Sequence, residues 1–403
     1  MLRAHLINMM LAALALAATL SSNPQTLALQ AIKGDATAVR TLRAMGQPGV
    51  DALIAANADA RLVDSVCRQR DCKWSRLYWH TDLEQAKRVA RQTGKPILSL
   101  RLLGNLDEEL SCANSRYFRT LLYSNRQISA YLRANYVLHW KSERPAPVMT
   151  VDFGGGRRMQ RTVTGNSIHY ILDAEGRPLD AIPGLYSAPA FLSLLREGAE
   201  LHDAVARAEN EGKRDEALRN YHRNAYYASR PRRRLGLSPL APANDHGDAR
   251  EQRLGAWTAA SVTTSKSDSE SAVLDKVSLD ARALGWRDEL LKLIAETVVG
   301  AATIDDNSRA LIRAKRASAP LSQGSFDAML KRLEKSIAAD TKLNQEKLHP
   351  QIHYWLSDGQ YELENLNSRV YEELFYTPGN DPWMGLVSDV SFTGIEGEGL
   401  FSR

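Results

Sequence analysis

Near the start of the chain, apolar residues recur every three or four positions, which is the spacing of one face of an α-helix. The pattern begins after Gly34-Asp35, is broken by the turn signal Gly46-Gln47-Pro48-Gly49, and then resumes. It predicts a helical hairpin within residues 31–73, which we expect to pack on the segment that follows because one hairpin cannot bury its own apolar face. The apolar positions are Ala38, Val39, Leu42, Met45, Val50, Leu53 and Ile54.

Between residues 74 and 200 the pattern changes to short apolar runs separated by helical segments. A helix that ends at Gly94 is followed by a strongly apolar run that starts at Pro96, which predicts a buried strand. Alternation of polar and apolar residues on both sides of Gly154-Gly155-Gly156 predicts a β-hairpin. The order helix, strand, helix, strand, hairpin, strand, helix is typical of an α/β domain. The further strands are predicted at Tyr136–Trp140 and Ile168–Leu172, and the further helices after Cys112, around Ile128–Leu132 and from Pro189.

The second half of the chain has a different composition. Residues 201–275 are predicted to be a helical extension followed by a linker, because Pro, Ser, Asp, Gly and Arg dominate from about residue 228. Residues 276–403 are predicted to be mainly helical, with no role evident from the sequence. The clearest helical stripe there is formed by Phe326, Met329, Leu330, Leu333 and Ile337.

The first residues resemble a secretory signal. Arg3 and His5 precede a mostly apolar run from Leu6 to Leu20, and cleavage after Ala18, Ser22 or Ala28 would fit a signal peptide within residues 1–28. An uncleaved signal anchor is the alternative, and it would be the only membrane contact that we expect. The predicted location is therefore periplasmic or secreted. The net charge of +5 is spread along the chain, which argues against a dedicated nucleic-acid-binding protein.

Three cysteines are present, so in an oxidising compartment at least one has no partner within the chain. Cys67 and Cys72 are close enough in sequence to form a disulfide, which would leave Cys112 free. A bond from Cys112 to either of the others is the alternative that the sequence leaves open. Two cysteines five residues apart, without a second pair, are a poor zinc signature.

Cys112 begins a predicted helix, where unpaired backbone N–H groups and the helix dipole favour a thiolate. We therefore predict that Cys112 is exposed and reactive, with Ser115 as a hydrogen-bond partner of its sulfur. Glu108 and Glu109 would oppose the thiolate by repulsion, whereas Arg116 would favour it.

These features resemble the thioredoxin-like superfamily over about residues 74–200. A tryptophan-containing strand, Gly94-Lys95-Pro96, a buried strand and a cysteine at a helix start occur in the order found in that family. The segment from Thr164 to Gly176 resembles the family's late strand, which ends in Asp-x-x-Gly, and Gly184 stands where a glycine often precedes the last helix. The family's C-x-x-C motif is here a monothiol C-x-x-S, and Ser167 occupies the usual position of a cis-proline.

The resemblance implies a thioredoxin-like sheet with flanking helices and thiol–disulfide exchange, either reduction or isomerisation. Cys112 would be the nucleophile, and Asn166 and Ser167 would hold a substrate peptide. The partners would be protein thiols or disulfides, and no cofactor is expected. The alternative is a redox-inert module that binds or supports another envelope protein.

Metal binding is a third hypothesis. Some exported thioredoxin-like proteins bind copper, and His139 and His169 are candidate ligands beside Cys112, but a second thiolate is missing. His349 and His353 have helical i, i+4 spacing, yet Pro350 lies between them and no third ligand is evident in the sequence. The sequence therefore predicts no metal site.

Overall fold

The computed structural model describes residues 23–162, 166–229, 302–359 and 361–375. The predicted signal peptide up to residue 22, the linker from residue 230 and the start of the C-terminal region lie outside the described residues. The helices are α1 Pro24–Ile32, α2 Ala36–Met45, α3 Gln47–Ala55, α4 Ala60–Cys67, α5 Cys72–Ser75, α6 Leu83–Thr93, α7 Ala113–Tyr117, α8 Arg126–Asn135, α9 Ala188–Ala206, α10 Glu211–Ser229, α11 Asp306–Lys315, α12 Gln323–Leu343, α13 His349–Asp358 and α14 Leu363–Arg369. The strands are β1 Ile97–Leu103, β2 Val137–Arg144, β3 Val148–Asp152, β4 Arg158–Thr162, β5 Ile168–Leu172 and β6 Pro178–Pro183.

The first five helices form a separate small hydrophobic core. The two predicted helices correspond to α2 and α3, and α1, α4 and α5 complete the cluster. Asp35 caps α2 by accepting hydrogen bonds from two backbone N–H groups, which explains why the helix begins there. The predicted boundary at residue 28 falls within α1, where Ala28 is fully buried. Cys67 and Cys72 are also in this core and form a disulfide.

The central sheet has the strand order β2-β1-β5-β6. β1 is parallel to β2 and antiparallel to β5, and β5 is antiparallel to β6. Every residue of β1, β5 and β6 is buried, as expected for strands covered on both faces. Helix α6 packs on β1 and β2, whereas α9 and α13 pack on β6. The α/β class predicted from the sequence is therefore correct.

Strands β3 and β4 pair only with each other in the described part of the chain, and they form a two-stranded antiparallel hairpin. Gly154, Gly155 and Gly156 connect them, and all three have positive φ angles, which a glycine adopts without steric cost. The predicted hairpin is thus present. In the amino-acid sequence, the hairpin follows β2 and precedes β5.

The described helices of the C-terminal region share one hydrophobic core with the central sheet. Phe326, Leu330 and Ile337 of the predicted stripe are buried on α12. Helix α10 packs closely against α13, and α11 contacts both α5 and the π-helical segment Phe118–Leu122. No helix in the described ranges is both long and apolar enough to cross a membrane.

Candidate functional site

Cys112 is the residue that precedes the first turn of α7, immediately after the loop that follows β1. Its backbone N–H donates to the carbonyl oxygen of Leu103 at 3.2 Å, which ties the loop back to the end of the strand. The strand and helix start predicted around this cysteine are both present. The helical stretch continues through a π-helical segment, Phe118–Leu122.

The sulfur of Cys112 is not exposed. The whole residue has no accessible surface, and it belongs to the main hydrophobic core. Its Sγ atom lies 3.0 Å from the hydroxyl oxygen of Ser167, which is also fully buried. Cys112 and Ser167, which the resemblance places at one site, are therefore in contact, but both are buried.

Ser115 has a different role from the one predicted. Its hydroxyl donates to the carbonyl oxygen of Cys112 at 2.8 Å and lies 2.7 Å from the hydroxyl of Ser111. A serine in the first helical turn readily donates its hydroxyl proton to a backbone carbonyl of the same turn, as Ser115 does here. The sulfur contact that we expected from Ser115 is made by Ser167 instead.

The C-terminal region covers Asn166, the other residue predicted to bind a substrate peptide. The hydroxyl of Tyr371, in the π-helical segment Val370–Leu374 that continues α14, donates to the carbonyl oxygen of Asn166 at 3.1 Å. Tyr170 of β5 donates to the side-chain oxygen of Asn367 at 3.1 Å. The backbone that was predicted to hold a substrate peptide is thus occupied by the protein's own chain.

Ion pairs from a buried arginine to two partly exposed carboxylates connect the same helix to the sheet. Arg101 of β1 is fully buried, and its guanidinium donates to Glu143 at 2.9 Å and to Glu364 at 2.8 Å. Burial disfavours the charged form of Arg101, but the hydrogen bonds from these two carboxylates outweigh it and raise the pKa of the guanidinium. Glu364 is near the start of α14, so the pair joins β1, β2 and the C-terminal region.

The charged residues predicted to influence the thiol have other partners. Glu109 forms ion pairs with Arg70 and Lys315. Burial opposes its ionisation, but these cations outweigh that effect and lower the pKa of the Glu109 carboxyl. Glu108 accepts a hydrogen bond from the side chain of Asn105 at 2.8 Å. Arg116 donates to Thr162 at 2.9 Å and so links α7 to the end of the hairpin.

The two histidines proposed as copper ligands are buried core residues, each hydrogen-bonded to a hydroxyl group. His139 Nδ1 lies 2.8 Å from the hydroxyl of Ser99, and His169 Nε2 lies 2.7 Å from that of Tyr123. Burial lowers the pKa of each imidazole to about 3, so both are neutral. Within the described ranges, the metal-ligating side chains that do cluster are Asp180, His349 and His353, and Cys112 is not among them. The copper hypothesis is therefore not supported by the arrangement of these residues.

The structure also decides the pairing of the cysteines. Cys67 and Cys72 are bonded to each other in the N-terminal helical core, and Cys112 is free. Neither of the bonded cysteines is thus available as a resolving thiol for Cys112. Comparison with known proteins adds no assignment, since no family model and no curated protein sequence matches the chain.

Proposed function

We propose that the chain is an exported thioredoxin-like protein that is redox-inert in its closed form and acts by binding another envelope protein. The observation that carries this proposal is the complete burial of the Cys112 sulfur against Ser167. A thiol takes part in disulfide exchange only when its thiolate can reach a disulfide sulfur. A sulfur without accessible surface does not meet that requirement.

The strand arrangement supports the thioredoxin-like part of the proposal. A parallel pair, β1 and β2, is extended beyond β1 by the antiparallel strands β5 and β6. The helix that starts with Cys112 follows the central strand β1, and Ser167 immediately precedes β5. This is the relation between cysteine and late strand that the resemblance implies. The disulfide between Cys67 and Cys72 supports export, because such bonds persist in oxidising compartments.

Thiol reactivity tests the proposal directly. Native protein at neutral pH is expected to react with iodoacetamide at Cys112 far more slowly than unfolded protein, because the reagent must wait for an opening of the structure. In an insulin-reduction assay, wild type and Cys112→Ser are expected to give the same background rate. Rapid alkylation together with insulin reduction that depends on Cys112 would contradict the redox-inert proposal.

Thiol–disulfide exchange is the second candidate, and the 3.0 Å contact between Cys112 and Ser167 favours it. In that reaction the Cys112 thiolate would attack a substrate disulfide, form a mixed disulfide and release one substrate thiolate. An external thiol would then release Cys112, since the other two cysteines are bonded to each other. The segment Val370–Leu374 would first have to move, which breaks the hydrogen bond between Tyr371 and Asn166.

The hairpin is the surface that we propose for partner binding. Val148 and Phe153 are 45% and 57% exposed, and a two-stranded hairpin gains stability when further chain packs on it. Strands with free edges also accept an added strand from a partner. Through Arg116 and Thr162 the hairpin is connected to the helix that follows Cys112.

The double variant Val148→Ser/Phe153→Ser is expected to fold like the wild type. It is expected not to form the cross-link to an envelope protein that the wild type forms. Leu29→Ser/Ile32→Ser is the matched control, because these residues are 57% and 44% exposed on α1, away from the hairpin. Cross-linking in the native host followed by mass spectrometry measures the difference. Equal recovery of the same protein with the hairpin variant would rule out this surface.

A further inference from the structure

Four buried polar side chains meet where the sheet contacts two helices outside the Cys112 site. Asp180 comes from β6, His222 from α10, and His349 and His353 from α13; their exposed fractions are 1%, 0%, 5% and 7%. One ligand atom each from Asp180, His349 and His353 lie within 4.8 Å of one another. A carboxylate and several imidazoles are costly to bury unless each has a suitable partner.

We propose that Asp180, His349 and His353 bind one divalent transition-metal ion of the zinc class, and that His222 orients His353. Imidazole nitrogen and carboxylate oxygen are common zinc ligands, and three protein ligands leave a fourth position for water. The carboxylate partly compensates the charge of the ion. The ligands come from two chain segments, since Asp180 is 169 residues before His349, so the folded structure is needed to assemble them.

The position of the two histidines on α13 suits this role. They are one turn apart, and their ring centroids are separated by 4.1 Å. Two histidines at i and i+4 on one helical face are the spacing used in helical zinc motifs. Pro350 lies in the first turn of α13, where a missing N–H is tolerated. It therefore does not separate the two rings, contrary to the sequence argument.

The contact between His349 and Asp180 already has the spacing of two ligands of one ion. His349 Nε2 lies 3.1 and 3.2 Å from the two oxygens of Asp180. In a tetrahedral site with metal–ligand bonds of about 2.0–2.1 Å, neighbouring ligand atoms are about 3.3 Å apart. Little rearrangement of these two side chains is thus needed to place an ion between them and His353.

The hydrogen bonds of His222 fix the tautomer of His353. His222 Nε2 lies 2.8 Å from the carbonyl oxygen of Leu179, which can only accept, so this nitrogen carries the proton. A neutral imidazole has one donor and one acceptor nitrogen, so Nδ1 of His222 is then the acceptor. That Nδ1 lies 2.8 Å from Nδ1 of His353, which must therefore donate. In neutral His353 the lone pair is then on Nε2, available for a metal, and the other ring nitrogen is held by a second histidine.

The ion would have a structural role. The residues between the two histidines are Pro350, Gln351 and Ile352, and none offers the carboxylate that acts as general base in helical zinc hydrolase motifs. The ligands instead connect β6 with α13, and His222 adds α10. The ion would therefore fasten the extension and the C-terminal helices to the edge strand of the sheet.

The test uses the untagged full chain, stripped with a chelator and titrated with Zn²⁺ by calorimetry. We expect one ion per chain. X-ray absorption of the zinc form is expected to give only N and O ligands, at about 2.0–2.1 Å, with two imidazoles and no sulfur at about 2.3 Å. A lack of stoichiometric binding, or a sulfur ligand, would overturn the proposal.

Variants then assign the ligands. His353→Ala and Asp180→Asn are each expected to abolish stoichiometric binding, whereas His202→Ala, a histidine of α9 outside the cluster, is expected to bind like the wild type. His222→Ala is expected to weaken binding about 10- to 100-fold and to shift the visible absorption bands of bound Co²⁺. Unchanged binding by folded His353→Ala contradicts the assignment. If circular dichroism shows that a ligand variant has unfolded, the wild-type X-ray absorption result decides alone.

Discussion

Replacing Tyr371 by alanine is expected to increase the alkylation rate of native Cys112 about 100-fold. Tyr371 is 6% exposed and donates to the backbone of Asn166, next to the Ser167 hydroxyl that contacts the sulfur. Truncating a buried aromatic side chain costs about 3 kcal/mol. This cost falls mainly on the closed form, in which Tyr371 covers Asn166. The open form, in which Cys112 is accessible, then becomes about 100 times more populated, and the alkylation rate of a buried thiol rises in proportion to that population.

The measurement is the rate of iodoacetamide labelling at fixed pH, followed by intact-mass spectrometry. Tyr227→Ala on α10 is the matched control, because Tyr227 is 51% exposed, and its rate is expected to equal that of the wild type. Tyr371→Phe removes only the hydrogen bond, so we expect an increase of about fivefold, corresponding to about 1 kcal/mol. If labelling of folded Tyr371→Ala is as slow as that of the wild type, the C-terminal segment does not control access to Cys112.

The same variant separates the two candidate functions. An opened protein that labels quickly but does not reduce insulin supports the redox-inert binding protein. An opened protein that gains insulin reduction, and loses it again when Cys112→Ser is added, supports thiol–disulfide exchange regulated by the C-terminal segment. Both outcomes are informative, because the substitution lies outside the hairpin proposed for partner binding.

The local surroundings of Cys112 could be predicted from the sequence because they depend on short-range patterns. An apolar run produced β1, and the residues after Cys112 form a helix. The contacts that decide its chemistry are long-range. Ser167 is 55 residues away in the chain, and the bond between Tyr371 and Asn166 spans 205 residues. The first contact was suggested only by the family resemblance, and no periodicity or local motif indicates the second.

The histidine cluster also depends on a long-range contact that the local sequence does not indicate. The i, i+4 spacing of His349 and His353 was visible in the sequence, but Asp180 is 169 residues before His349. A carboxylate at the centre of the otherwise apolar run Leu179–Ile182 is the one local signal that could have pointed to it, since a charge inside a buried strand requires a partner. His222 gave no such signal, because its helix is polar over most of its surface.

Removing the carboxylates that bind Arg101 is expected to cost more stability than removing Arg101 itself. Arg101→Met leaves Glu143 and Glu364, whose side chains are 20% and 59% exposed and can be solvated again. We therefore expect a loss of about 1 kcal/mol or less, because an apolar side chain often replaces a buried ion without loss. Glu143→Ala/Glu364→Ala instead leaves a fully buried guanidinium without a counter-charge, which costs about 3 kcal/mol or more.

Urea unfolding of the two variants, and of the triple variant that combines them, tests this asymmetry. The triple variant is expected to be more stable than the double carboxylate variant, because Arg101→Met removes the buried charge that has no counter-charge in the double variant. Lys141→Ala is the surface control, because Lys141 is 48% exposed and lies 3.4 Å from Glu364; it should change stability by less than about 1 kcal/mol. Were Arg101→Met to destabilise the protein as much as the loss of both carboxylates, the ion pair would itself be what holds α14 on the sheet. In that case the cover over Cys112 would depend on charge rather than on the apolar contacts of the C-terminal helices.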